Sequence, residues 1–116
     1  MKPSEAGRLG EDAVAEFLEA RGYTVLQRNY RSRYGEIDVI ASDSAVVAFV
    51  EVKLRKNNAF AEAREFVDGR KQTKLRTTAA QFLMENPMDR QPRFDVAEVL
   101  YERGRALISY YENAFE

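Results

Sequence analysis

Between Ala6 and Leu18 the apolar residues recur at helical spacing. Ala6, Ala13, Val14, Phe17 and Leu18 fall on one side, and Glu5, Asp12, Glu16 and Glu19 on another. Ser4 is a candidate N-cap, and Gly22 a stop. The period then shortens. Residues 23–29 and 36–41 read as strands separated by "YRSRYG", and "SDS" at 42–44 is turn material. A longer strand is predicted from Val46 to Arg55. "KNNAFAEAREFVDGR" reads as a loop leading into a short helical stretch. A second long helix is predicted from about Arg70 to Glu85, where Asn86-Pro87 ends it. "RFDVAEVLYE" and "ALISYYEN" follow as two strands joined at "RGR". The order α-β-β-β-α-β-β predicts an α/β sandwich around a five-stranded mixed sheet. At 116 residues, positions 1–116 are expected to form one domain.

The charges that break this pattern are its most informative feature. "VVAFVEVKLR" opens as a strand suited to burial and then places Glu51, Lys53 and Arg55 on alternate positions. In "GEIDVIA", Glu36 and Asp38 interrupt another apolar run. Strand side chains alternate between faces, so Glu51 and Lys53 share one face, as do Glu36 and Asp38. Whether those faces coincide depends on the connecting turn. A loop over 42–45 would set Glu36 opposite Glu51, with Asp38 diagonal; an odd loop would separate the pairs. If the faces coincide, several carboxylates crowd together, a conflict that a divalent cation with oxygen ligands relieves. The alternative is an ordinary solvated strand face with cross-strand ion pairs.

Both helices carry a similar anomaly. With Leu9 at 0°, Glu11 falls at about 200°, against the apolar arc rather than on the acidic side. It either aims inward at a site or bends out to water. With Leu75 at 0°, Lys71 falls at about 320°, beside the stripe of Leu75, Ala79 and Phe82. Its stem either packs on apolar surface with the charge lifted clear, or carries the charge towards a phosphate near the helix start. Asp95 in "RFDVAEV" reads as structural, paired with Arg93 or another base.

Composition narrows the chemistry. The chain has no Cys and no His, which removes thiolate nucleophiles, serine–histidine hydrolysis and the usual transition-metal ligands. Any metal must be held by oxygen, which points to a hard cation. Net charge is −1, yet residues 28–76 hold 11 basic and 7 acidic residues, a local excess of +4. That asymmetry suits a polyanion on one face and equally suits a solvated surface. No run approaches a membrane span, and no targeting segment or disulfide is visible, so a cytoplasmic location is expected.

Asp38 followed by Glu51-Val52-Lys53 resembles the D…E-x-K motif of the PD-(D/E)xK nuclease superfamily. "GRLGEDAVAEFLEARGYTVLQRNYRSRYGEIDVIA", "FVEVKLR" and "RFDVAEV" extend the resemblance across Gly7 to Phe115. Over that span the chain resembles a widespread bacterial family of small endonuclease-like proteins, similar to archaeal Holliday-junction resolvases. Ile37 stands where the superfamily's proline would be. The resemblance implies a restriction-endonuclease-like α/β/α sandwich and metal-dependent hydrolysis of phosphodiester bonds in DNA, branched or junction DNA included. Repair or recombination is the implied setting. It implies that Glu11, Asp38 and Glu51 surround Mg²⁺ or Mn²⁺ with the Val52 carbonyl, and that Lys53 orients the attacking water. Lys71 matches a family lysine of unassigned role. Arg28, Arg31, Arg33, Arg55, Lys56, Arg70, Lys71 and Lys74 are candidate nucleic-acid contacts. The resolvase likeness further implies a homodimer. The competing expectations are a non-catalytic nucleic-acid-binding module and a structural adaptor with an incidental acidic cluster.

Overall fold

A computed structural model describes residues 3–55 and 68–115. Helix α1 spans Pro3–Ala20 and α2 spans Gly69–Glu85. The strands are β1 (Thr24–Ser32), β2 (Gly35–Ser42), β3 (Val46–Arg55), β4 (Gln91–Glu102) and β5 (Arg105–Tyr111). They form one mixed sheet in the order β1-β2-β3-β4-β5. Only β3 and β4 run parallel, because α2 lies in the connection between them and brings the chain back to its starting end. The expected short helical stretch and Lys56 lie at 56–67, outside the described residues.

A helix covers each face, giving the three layers of an α/β/α sandwich. On one face, Val14 and Leu18 of α1 pack on Val39, Ala41, Ala48, Val50, Ala97 and Val99. On the other, Leu75, Ala79 and Phe82 of α2 pack with Tyr30, Ile37, Ile40, Val47, Phe49 and Val96. The alternation in β3 divides its apolar run between these cores: Val47 and Phe49 serve one, Ala48 and Val50 the other. The α1 face uses alanines in three strands, which lets the helix come close. Gly10 continues that approach: a Cβ there would stand 2.7 Å from the Leu54 side chain. The residue next to this close contact is Glu11.

Three boundaries differ from the sequence reading. Helix α1 already includes Pro3, so Ser4 sits inside the first turn rather than capping it. Proline suits that first turn, where its missing N–H is no loss. The β1–β2 hairpin runs further than expected, to Ser32↔Gly35, with Arg33 and Tyr34 at its tip. Most of "YRSRYG" is therefore strand. The β2–β3 pairing is shifted by two residues: Ser42 faces Val47 and Val39 faces Val50. Asp43 sets that register, since its Oδ1 accepts the N–H groups of Ala45 and Val46, both at 2.8 Å. A shift of two keeps side chains on their faces. It moves Asp38, not Glu36, to the position beside Glu51.

Candidate metal and phosphate site

The site forms where two regular features of the sheet stop. The first is the alternation of β1 and β2. Asn29, in mid-strand, has a φ of 53°, in the left-handed region. Arg28 consequently reaches α1, where its Nη1 lies 2.7 Å from Asp12, while Tyr30 reaches α2 and donates to Glu85 at 2.7 Å. Their partners split the same way, Val39 to the α1 core and Ile37 to the α2 core. Asp38 stands at this change of face. Glu36 and Asp38 therefore do not follow the simple two-residue alternation expected of them.

The second is the β2–β3 ladder, which runs from Ser42↔Val47 to Val39↔Val50. Beyond it the Val52 N–H donates to the Asp38 side chain, at 2.8 Å from Oδ2. A carboxylate thus stands where a strand carbonyl would continue the ladder, fixed beside the next residue of β3, Glu51.

Glu51 is only 9% exposed. Its Oε1 carries two ammonium groups, Lys71 Nζ at 2.6 Å and Lys53 Nζ at 3.6 Å. Lys53 comes from the same strand and Lys71 from the first turn of α2. Asp68 caps that helix, its Oδ1 accepting the Lys71 N–H at 2.9 Å. The Lys71 charge is therefore not lifted clear into solvent but paired with Glu51.

The electrostatics are strained around Asp38. Its carboxyl is raised to about 7, first by burial and then by Glu51, with smaller contributions from Glu11 and Glu36, against the opposing Val52 N–H. The Lys53 ammonium is lowered by burial and by the neighbouring Lys71, despite Glu51. Burial also works against Lys71, but its interactions with Glu51, Lys53 and Asp38 together outweigh this and hold it above the ordinary lysine range.

Asp38, Glu51, Lys53 and Lys71 thus meet at one point, with Val52 between them in sequence. Glu11 turns inward, its side chain 15% exposed, but lies 3.8 Å from Arg28 Nη2. Among the described residues, no three acidic side chains stand close enough to form a complete cage for an ion. Two carboxylates suit Mg²⁺ or Mn²⁺ nonetheless, because such ions take one or two from the protein and the rest from water and substrate phosphate. A cation there would favour the ionised form of Asp38, which burial and the neighbouring Glu51 oppose.

The basic candidates separate. Arg70, Lys71 and Lys74 line a cleft of about 330 Å³ with Gly35, Glu36, Asp68 and Leu75, next to Glu51. Arg31 is exposed and pairs loosely with Glu36 at 3.3 Å. Arg33 lies at the hairpin tip, donating to the Tyr34 hydroxyl at 2.7 Å. Arg55 stands apart from the cleft residues: its side chain is 17% exposed and bonds Glu98 of β4 at 2.9 Å. Arg28 is likewise committed to Glu11 and Asp12. Glu36 joins the site's electrostatics without having been assigned a role, although its place in the same apolar run as Asp38 marked it. The Lys71–Glu51 contact had no local signal, because it spans 20 residues and two elements.

No helix among the described residues is long and apolar enough to cross a membrane. Comparison with other proteins places the chain in a group. A UPF0102 protein of Pelotomaculum thermopropionicum is 43% identical over 112 residues, covering 94% of this chain and 93% of its own. Another, from Desulforapulum autotrophicum, is 43% identical over 111 residues, covering 95% and 92%. A third, from Dictyoglomus thermophilum, is 36% identical over 118 residues, covering 99% and 100%. The family profile itself matches residues 10–99, a span that holds Glu11, Asp38, Glu51, Lys53 and Lys71. The chain belongs to the uncharacterised protein family UPF0102.

Proposed function

We propose that the protein is a metal-dependent nuclease that hydrolyses phosphodiester bonds in DNA, with branched DNA among its substrates. The observation that carries this reading is the meeting of Asp38, Glu51 and Lys53 at the point where β2 and β3 part. Asp38 and Glu51 would hold Mg²⁺ or Mn²⁺, assisted by the Val52 carbonyl and by Glu11 directly or through water. The ion, when bound, supplies Lewis-acid polarisation of a phosphate oxygen and a more acidic water. Lys53 would orient that water and neutralise charge developing on the phosphate. The Val52 N–H holds the Asp38 carboxylate in place throughout. Arg70 and Lys74, and at the hairpin Arg31 and Arg33, would contact the DNA backbone, which positions a duplex without reading its sequence. A homodimer would present two such sites to two strands of a junction.

A second reading, a nucleic-acid-binding module that does not cut, draws on Lys71 already neutralising Glu51. One experiment separates the two. Branched, flapped and single-stranded DNA are incubated with the protein in Mg²⁺ or Mn²⁺, then with EDTA, alongside Glu51→Ala. Metal-dependent cleavage that the variant loses while still binding DNA supports the nuclease. Equal trace cleavage by both proteins marks a contaminant and defeats it. Binding without cleavage on every substrate favours the module.

A further inference from the structure

We infer that Lys71 is a displaceable counter-ion of Glu51, which passes to a backbone phosphate in the adjoining cleft when a divalent cation takes the Glu51 carboxylate. This rests on the proposed function and adds a role that neither the motif nor the family assigns.

The geometry carries the argument. One oxygen, Glu51 Oε1, holds both Lys71 at 2.6 Å and Lys53 at 3.6 Å. A dication on that carboxylate would stand against two ammonium charges in a half-buried setting, where repulsion is strong. Lys53 springs from the same strand two residues away and is the less exposed of the two, at 23%, so it has less room to withdraw. Lys71 has more. Its side chain is 39% exposed and already lines the cleft shared with Arg70 and Lys74. It can leave Glu51 by rotating its stem, while its backbone stays fixed by the Asp68 cap. In the cleft it would stand with two further cations, Arg70 and Lys74, against the carboxylates of Glu36 and of Asp68, the latter already engaged in capping α2. The two events then reinforce each other. A cation at Glu51 frees a lysine for phosphate, and a phosphate that holds the lysine clears Glu51 for the cation, a reciprocal coupling.

The test needs no cleavage. Mn²⁺ binding is measured by calorimetry, without nucleic acid, for the wild type, Lys71→Met, Lys71→Gln and Lys74→Met. Removing the competing ammonium is expected to tighten Mn²⁺ about 10-fold in both Lys71 variants, against about 2-fold or less for Lys74→Met. Lys74→Met makes the same charge change one turn further along α2. Affinity for a short DNA duplex is then measured by fluorescence anisotropy with Ca²⁺ or with EDTA. The wild type is expected to gain about 10-fold with Ca²⁺, and Lys71→Met only about 2-fold. Lys71 variants with wild-type Mn²⁺ affinity overturn the inference, as does an undiminished Ca²⁺ gain or equal tightening by Lys74→Met. A wild type that binds no Mn²⁺ overturns the metal-dependent function itself. A wild type that binds Mn²⁺ while the Lys71 variants bind it no more tightly overturns only the exchange.

Discussion

Asp95 and Asp38 are both strand aspartates set among apolar neighbours, and the protein treats them in opposite ways. Asp95 is 0% exposed, yet every part of its carboxylate is engaged. Arg93 grips it with two nitrogens, Nε to Oδ1 at 2.9 Å and Nη2 to Oδ2 at 2.9 Å. The Tyr110 hydroxyl donates to Oδ2 at 2.6 Å, and the Asn113 N–H to Oδ1 at 3.2 Å. Tyr23 in turn bonds Arg93, tying the end of α1 to β4 and β5. Asp38 has one N–H donor, and burial together with three acidic neighbours raises its pKa. The lesson is that burial alone does not mark a functional carboxylate. A buried charge that is fully answered holds the fold together; one left in excess beside a cleft can take a ligand.

The contrast can be broken first at Asp95. Asp95→Ala removes the main acceptor of Arg93 and the acceptor of Tyr110, leaving a largely buried guanidinium with Tyr23 and a looser pairing to Glu112 at 3.6 Å. It is expected to cost about 3–5 kcal/mol, read as a lowered urea midpoint or a loss of folding. A fully stable variant would show that the network is dispensable.

Glu51→Ala should reverse that profile. Its partner Lys71 can turn to solvent, so the stability change is expected to stay below about 1 kcal/mol. Metal-dependent DNA cleavage should fall by about 100-fold or more. A collapse in stability equal to that of Asp95→Ala would erase the distinction between the two carboxylates.

Asp38→Asn sharpens the comparison through pH. The Asp38 carboxyl titrates at about 7 in the folded chain, against about 3.9 when unfolded. Between those values the folded protein holds a proton that the unfolded chain lacks. This contribution to stability is complete below the unfolded value and is lost as pH rises through about 7. Asn mimics the protonated form and keeps an oxygen for the Val52 N–H. The variant should melt higher than wild type at pH 8, by about 2 kcal/mol, with the gain shrinking as pH falls towards 5. Wild-type affinity for Mn²⁺ should weaken across the same range, since the proton and the ion compete for one carboxylate. A pH-independent difference in melting would mean that Asp38 is not under this pressure.

The smallest effects belong to the exposed cations. Lys74→Ala and Arg31→Ala should weaken DNA binding by about 2- to 5-fold, and each should lower the slope of log affinity against log salt by about 1. Arg55→Ala should leave that slope unchanged, because its guanidinium is committed to Glu98.

Much of this was legible in the chain. Period-two and helical patterns marked both helices and all five strands. Asp95 with Arg93 was readable two residues apart, and the resemblance to the D…E-x-K motif singled out Asp38, Glu51 and Lys53. The Arg55–Glu98 bond could not be read from charge and position, because the partners lie 43 residues apart. Lys71 could be placed beside the apolar stripe of its helix, but its partner could not be named.

Local sequence determined the elements, because alternation and helical spacing act over a few residues. It also narrowed the chemistry, because any metal held by a chain without His or Cys must be bound through oxygen. Tertiary structure alone decided the rest. The Asn29 change of face, the two-residue shift set by Asp43, and the arrival of Lys71 at Glu51 depend on backbone torsion and on packing between distant segments. Those long-range contacts bring carboxylates and ammoniums to one point, and at such short range Coulomb forces decide which charges are satisfied and which remain open to a ligand.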